Sequence, residues 1–522
     1  MTLELDQLAD RHLREDPQGV LAKAIEVTSG VVLVRACSSM AIALGSQHLL
    51  WMLVSLLSRQ FKVVDELVFD IPEVMLHPGV APFGAKSTLV ETLEECVRLV
   101  SGPHVKVRRI EAAGPSPDVA LILGDGIPST PRAWRLYADG WRYFVGEHGI
   151  VPSTPPESGL SIGPYLCASH AAGEVFKLLR GMKPGKGEFI QSHFGSAWTL
   201  SSASTWAALE EGPDARQFGT LPHFYFAGAG AVAQAAALCL GSAGFSGSCS
   251  VVDKDNLDLT NDNRYALSTR ADDGASKVGM MRNYLLSRGF QCQAVPEWWQ
   301  DFAVSGGKYA PNSAIRDLER AYTFPIVLSC VDKNHARHSL QNVVPQLIVG
   351  GSTDGLSAKA SIFDLGEETA CLKCHNAVES RNGVVQARIA ALRQVEGEQR
   401  SHLAHELGLT AIDVDLLLGP GGCGKLSEAD LDRFGAATPE MSVGFVSVAA
   451  GVLLVAQFLR RTYLGAVGAT QAGALGVMTF ARAKLRSMHV GLDQACDCSA
   501  GLRHRWHSYW GAPPLPSAAK PL

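Results

Sequence analysis

Residues 223–244, HFYFAGAGAVAQAAALCLGSAG, constrain the chain most: an apolar run meets Gly228-Ala229-Gly230 and passes into small apolar residues at helical spacing. Glycines between a buried strand and a helix let the backbone turn sharply and leave the first helical N–H groups free for an anion. SCSVVDKD (248–255) reads as a second strand ending in acids. Its Asp253 lies about twenty residues past the glycines, where a carboxylate takes ribose hydroxyls. PIVLSCVD (325–332) and PQLIVGGS (345–352) continue the strand series, and SVGFVSVAAGVLLVAQFLRR (442–461) closes it as an apolar helix. Strands alternating with helices in this way form a parallel, doubly wound sheet.

A weaker copy of the pattern comes first. VVLVRAC (31–37), DELVFDI (65–71), DVALILGD (118–125) and WRYFVGE (141–147) read as strands, with SQHLLWMLVSLLSRQ between the first two as a helix. SIGPYLCASHAAGEVFKLLRG (161–181) closes this copy, sharing with the later closing helix the outline S-[IV]-G, small apolar residues, then a Phe followed within four residues by Arg. The expected fold class is α/β: two Rossmann-like doubly wound domains in one chain, an intramolecular pseudo-dimer. Arg35 and Ala36 stand in the turn of the first copy where glycines would be needed, so that copy is expected to be inactive. The expected boundaries are 1–182 for the inactive domain, 183–220 for a Gly/Ser/Thr-rich linker, and 221–498 for the active domain with a helical insertion at about 376–438. Residues 499–522, with the Pro-rich ending GAPPLPSAAKPL, are expected to be mobile.

Composition limits the function classes. Among 522 residues, 47% are hydrophobic and 19% charged, which suits a well-buried globule. A net charge of −5 gives no general attraction to nucleic acid or to an anionic membrane. Ser442–Leu459 reaches the length of a membrane span, but Ser442, Gly444, Ser447, Gly451 and Gln457 interrupt it and Arg460 and Arg461 follow, so it reads as a buried core helix. MTLELDQLADRHLRED lacks the basic-then-apolar pattern of a secretory signal, and a cytoplasmic location is expected. Without an export signal, twelve cysteines read as reduced thiols plus a metal site.

After the glycine turn come Asp253, Asp255, Asn261, Arg264, then Gly274-Ala275-Ser276-Lys277, and later Cys330-Val331-Asp332. Taken singly, Arg264 or Lys277 would be an ordinary solvated cation. The series D-x-D, N-x-x-R, G-x-x-K and a later Asp resembles the ubiquitin-activating (E1-like, ThiF/MoeB) superfamily. The resemblance implies that a carboxylate attacks the α-phosphorus of ATP. Gly228 and Gly230 would then seat phosphates, Asp253 would hold the ribose, and Asp255 would belong to the same nucleotide-binding set. Asn261, Arg264 and Lys277 would neutralise the triphosphate, and Asp332 would hold Mg2+. Lys333 stands where many relatives carry Asn. The first copy resembles the inactive partner half of activating enzymes, which braces the active half and often lends it an arginine. Arg11 and Arg14 are the candidates, although a surface helix explains them equally well.

The two-half layout resembles the BilD-type activating enzymes of bacterial antiphage ubiquitin-like conjugation operons. That implies an antiviral role, a ubiquitin-like protein as substrate and a conjugating enzyme as acceptor, with dimerisation of the chain left open. Other readings are a sulfur-carrier adenylyltransferase (thiamin or molybdopterin type), a peptide-adenylating enzyme of antibiotic biosynthesis, and a dehydrogenase or nucleotide-binding scaffold. The last class needs none of Arg264, Lys277 and Asp332.

Cys371 and Cys374, with Cys496 and Cys498, are two close pairs where members of the superfamily commonly hold a structural Zn2+. The second pair is C-x-C rather than C-x-x-C, so His375 or His504 could replace a ligand, and unpaired thiols remain the alternative. Cys423, in Gly421-Gly422-Cys423-Gly424-Lys425, stands in the region where the resemblance places a thioester-forming nucleophile. The alternative is an incidental loop cysteine. Cys37, Cys239, Cys249 and Cys330 read as core.

Overall fold

The computed structural model describes residues 2–14, 16, 18–22, 29–126, 130–304, 324–367, 369–376, 381–407, 409–419, 441–468, 474–493, 496, 498 and 501–511. Two eight-stranded sheets organise it. The first contains β1 (Gly30–Ala36), β2 (Val64–Asp70), β3 (Lys106–Arg109), β4 (Val119–Leu123), β5 (Ala133–Asp139), β6 (Arg142–Gly146), β7 (His193–Ser196) and β8 (Ser201–Ala203). The second contains β9 (Thr220–Ala227), β10 (Ser246–Val252), β11 (Gln291–Val295), β12 (Ile326–Ser329), β13 (Leu347–Asp354), β14 (Ser357–Phe363), β15 (Ala474–Thr479) and β16 (Lys484–His489).

The orders are β3-β2-β1-β4-β5-β6-β7-β8 and β11-β10-β9-β12-β13-β14-β15-β16, one order used twice. Directions also correspond: each sheet is parallel through its fifth neighbour and antiparallel for the last three. The central parallel strands β1, β4 and β12 are buried along nearly their whole length, as strands covered on both faces are.

The core helices are buried on nearly every side. Leu44–Ser58 is buried along nearly its whole length and packs on Ile162–Arg180. Gly444–Gly468 packs on both Ile162–Arg180 and Ala231–Ser242. Gly451 allows that approach, since a Cβ there would stand 2.6 Å from the Val232 carbonyl oxygen. The Gly444–Leu464 stretch is long and apolar enough to cross a membrane, but it is buried along its length inside the protein. Polar contacts also join the halves. Tyr165 donates to Ser242 Oγ at 2.8 Å, Ser161 to the Cys239 carbonyl at 3.2 Å, and Ser202 Oγ accepts from the Leu485 N–H at 3.0 Å.

Three sequence expectations need correction. The 183–220 stretch is no plain linker: β7 and β8 lie in it and extend the first sheet, with Phe194 opposite Ala203. The 499–522 tail is not wholly unpacked, because Gly501–Trp510 is a helix with Leu502 buried. Its Trp506 and Trp510 indoles donate to the carbonyls of Pro345 (3.1 Å) and Val344 (2.9 Å). Arg35 and Ala36 belong to strand β1 rather than to the turn after it, which begins at Cys37. Residues 376–440 form a separate compact unit. Its helices Arg381–Arg393, Gly397–Glu406 and Ala411–Leu418 share a small core of Val385, Ile389, Leu392, Ala404 and Leu417. Cys423 lies outside the described residues.

Candidate nucleotide and metal sites

β9 runs into Gly228-Ala229-Gly230, and helix Ala231–Ser242 starts at once with Gly230 as its N-cap. Gly228 has φ +93°, and a Cβ there would lie 3.1 Å from the Cys330 carbonyl oxygen, so only glycine fits. Gly230 has ordinary backbone angles, and a Cβ on it would meet only the Tyr265 hydroxyl, at 3.6 Å. The space before the helix N-terminus is therefore open, and the N–H groups there favour an anion.

Asp253 follows β10 and anchors the turn: its carboxylate accepts from the N–H groups of Ala229 (2.7 Å) and Asp255 (2.8 Å). Burial raises its pKa against those hydrogen bonds. The next loop is built by local capping. Asp258 Oδ1 accepts from Thr260 N–H (2.9 Å) to start the Leu259–Asn261 turn, and Asn261 Nδ2 donates to the Asp258 carbonyl (2.8 Å). Arg264 donates to the carbonyl of Thr260 (2.7 Å), to Asn263 Oδ1 (2.8 Å) and to Asn261 Oδ1 (3.2 Å). Asn261 and Arg264 are thus one unit.

Tyr265 gathers the cations. Arg264 stands 5.4 Å and Lys277 5.7 Å from its ring centroid, and its hydroxyl approaches Gly230. Lys277 also pairs with Asp255 at 3.2 Å. Desolvation works against its charge, but Tyr265, Asp253 and Asp255 outweigh it and the pKa is raised, so Lys277 is firmly cationic. Burial lowers that of Arg264, with Tyr265 and Asp258 opposing and Arg11 adding to the drop.

Asp332 is exposed just past β12, and its charge acts on Arg264, Arg11 and Arg337. Arg337 donates to the Val331 carbonyl at 3.1 Å, fixing the backbone next to Asp332. Arg11 comes from the first half, on helix Thr2–Leu13, which packs on the Leu259–Asn261 turn. Its carbonyl accepts from Ser442 N–H (3.0 Å), and the Ser442 carbonyl accepts from Asn263 Nδ2 (3.0 Å). Arg14 pairs with Asp10 instead. Gly228, Gly230, Asp253, Asp255, Asn261, Arg264, Lys277 and Asp332 therefore ring the C-terminal edge of β9, β10 and β12. Of the two candidate arginines of the first half, Arg11 is the one that acts on Arg264, whereas Tyr265 and Arg337 were not deduced from sequence. Only the place of Tyr265, directly after Arg264, offered a signal.

The Sγ atoms of Cys371, Cys374, Cys496 and Cys498 lie within 4.8 Å of one another. Cys371 to Cys374 and Cys371 to Cys496 are 3.6 Å, and Cys374 to Cys498 is 3.7 Å. Four thiolates about 2.3 Å from a zinc ion stand about 3.8 Å apart, so this donor set fits tetrahedral Zn2+. Gln341 Nε2 donates to Cys371 Sγ at 3.1 Å, as expected around a thiolate. His375 packs edge-on against Phe363 at 4.8 Å, and burial holds its pKa down to about 4. Neither His375 nor His504 joins the cysteine cluster. Cys330 is half-buried on the way to Asp332, and burial pushes its thiol up.

A doubly wound sheet with a glycine turn, an acid after the second strand and converging cations defines a nucleotide-binding α/β protein. Residues 222–498, just over half of the chain, match the ThiF family, and the chain belongs to that family. An uncharacterized protein, y4jF, of Sinorhizobium fredii is 24% identical over 329 residues, covering 62% of this chain and 55% of that protein. The chain thus spans about half the length of this curated relative. Crystal structures of E. coli MccB are also similar. MccB with MccA-N7isoASN has 15% identity and a TM-score of 0.34, over 55% of this chain and 68% of that one. MccB with succinimide has 13% identity and a TM-score of 0.35, over 70% and 97%.

Proposed function

We propose that this chain uses ATP to adenylate the C-terminal carboxylate of a ubiquitin-like protein. Thioester formation on Cys423 and transfer to a conjugating enzyme would follow. One observation carries the first step: Arg264 and Lys277 both lie over the ring of Tyr265, whose hydroxyl approaches the helix N-terminus at Gly230, with Asp332 and Arg11 close by. Attack on the α-phosphorus builds charge on phosphate oxygens, and cations fixed before the reaction stabilise that charge without reorganising. In this reading Asp253 and Asp255 bound the ribose, Asn261 holds Arg264 in line, and Arg11 lends the first half's cation. Asp332, an exposed oxygen ligand facing the phosphate cations, would hold Mg2+, which neutralises triphosphate charge when bound. The four cysteines would hold Zn2+ as a structural staple.

The test is ATP–pyrophosphate exchange with purified chain, Mg2+ and a ubiquitin-fold protein ending in a free glycine. Exchange that disappears with Arg264→Ala supports adenylation. A reductant-sensitive adduct lost in Cys423→Ala supports the thioester step. Exchange without such an adduct points to the sulfur-carrier class, and NAD binding without ATP turnover points away from adenylation altogether.

A further inference from the structure

We propose that Arg59, from the half without a glycine turn, is the positioning residue for the arginine loop of the other half. This rests on the adenylation reading above. Arg59 follows helix Leu44–Ser58 and is 2% exposed. Its guanidinium crosses into the second half, where Nη1 donates to the Asp262 carbonyl and Nη2 to the Ser268 carbonyl, each at 2.6 Å. Those carbonyls bracket the segment that carries Asn263, Arg264 and Tyr265. A planar guanidinium holds two acceptors in a fixed fork, so one side chain sets their separation.

Most of the segment's other hydrogen bonds are internal, and Leu267 N–H donates to Gln234 Oε1 at 3.3 Å. Ser268 Oγ donates to Asp262 Oδ1 and to the Tyr265 carbonyl, both at 3.1 Å, and Arg264 bonds within its own turn. Ala266 and Leu267 pack into the core, so what the hydrogen bonds set is the fine placement of the turn that carries Asn263 and Arg264. Arg59 ties both of its ends to the first half, and Asn263 ties its middle to Ser442. The placement of Arg264 and Tyr265 relative to Gly230 depends on those ties, and misplacing a phosphate-binding group by about 1 Å is costly in rate. Burial lowers the pKa of Arg59, against the pull of Asp262. Apolar residues could fill this interface without burying a charge. Both Nη atoms of Arg59 are used in this way, whereas its buried Nε finds no partner.

The experiment measures Mg·ATP affinity of the full chain by calorimetry for Arg59→Lys in three backgrounds: parent, Lys277→Ala and Arg264→Ala. Lysine keeps the charge but cannot fork. The expected loss is about tenfold in the parent and in Lys277→Ala, and under about twofold in Arg264→Ala, where nothing remains to be positioned. Equal loss in all three backgrounds overturns the positioning role and leaves the adenylation reading standing. No Mg·ATP binding by the parent overturns both. Amide hydrogen exchange separates positioning from folding. Faster exchange confined to 259–268 supports the proposal, whereas general loss of protection across β1 and β4 assigns Arg59 to stability alone and overturns it.

Discussion

Alanine at Gly228 and alanine at Gly230 should fail in different ways, although the two glycines are separated by one residue. At Gly228 the φ of +93° costs a non-glycine residue about 1–2 kcal/mol. The new Cβ would also stand 3.1 Å from the Cys330 carbonyl oxygen and 3.3 Å from Val331 Cγ1. That crowding adds about 1 kcal/mol. The total of about 2–3 kcal/mol should lower the melting temperature by several degrees. Because the crowded backbone leads directly to Asp332, Mg·ATP affinity should fall as well. At Gly230 the φ is −75° and the nearest atom to a new Cβ is the Tyr265 hydroxyl at 3.6 Å, an ordinary contact. Stability should change by no more than about 0.5 kcal/mol. The methyl group would nevertheless occupy the space before the helix N-terminus, and Mg·ATP affinity should drop at least about tenfold by displacing the phosphate from its N–H donors. Thermal melts and Mg·ATP titrations on the two variants suffice. Parent-like ATP binding by Gly230→Ala would refute the placement of phosphate at this turn.

Other outcomes follow from the same geometry. Arg11→Ala should slow pyrophosphate exchange about 10- to 100-fold with the melting temperature kept, and Arg14→Ala should change neither; equal effects of the two would remove Arg11 from the site. The purified chain should carry about one zinc per molecule by elemental analysis, and Cys374→Ser should lose it and expose the Gly501–Trp510 helix to proteolysis. A parent protein without zinc sinks that reading. Burial lifts the Asp262 carboxyl to about 6 while the unfolded side chain ionises near 4, so its contribution to stability is full below about pH 4 and lost as pH rises through about 6. Asp262→Asn should therefore become more stable relative to the parent between pH 4 and pH 7 in denaturant titrations; a constant difference would contradict this sign.

Local chemistry made much of the second half legible. Gly228, Asp253, Asn261 and Arg264 sit in turns whose shape is written in neighbouring residues, such as the Asp258 cap on Thr260. Contacts formed only by tertiary packing were not legible. Nothing near Arg59 in the chain announces acceptors at Asp262 and Ser268. The strands of 183–220 escaped notice because HFGS and SSA carry few strand-favouring residues. They are held by their register and by neighbours such as Trp198, 5.0 Å from Trp141. The terminal helix reads as mobile in sequence because it has little apolar content, whereas in the structure Leu502 is buried and its tryptophans and Arg503 act through hydrogen bonds to carbonyls such as that of Leu365 (2.9 Å).

The two copies carry one topology with different chemistry at the edge of each sheet. In the second half, the acid after β10 is Asp253, which accepts only backbone N–H groups and faces the turn. In the first half, β2 ends in Asp70, in register with Arg35 on β1, and the two form an ion pair at 3.1 Å. The carboxylate that could meet a ribose is thus occupied by a cation from its own sheet. The chain leaves β1 through Cys37 into helix Ser38–Ile42 with no glycine to open the turn. None of these changes disturbs strand order, because order depends on buried apolar strands and crossover helices rather than on the residues at the sheet's edge. The first half could therefore lose its edge chemistry while keeping the surface that presents Arg59 and Arg11 to the other half. On the adenylation reading, the first half should therefore tolerate substitutions at Arg35 and Asp70 far better than at Arg59 in an ATP–pyrophosphate exchange assay.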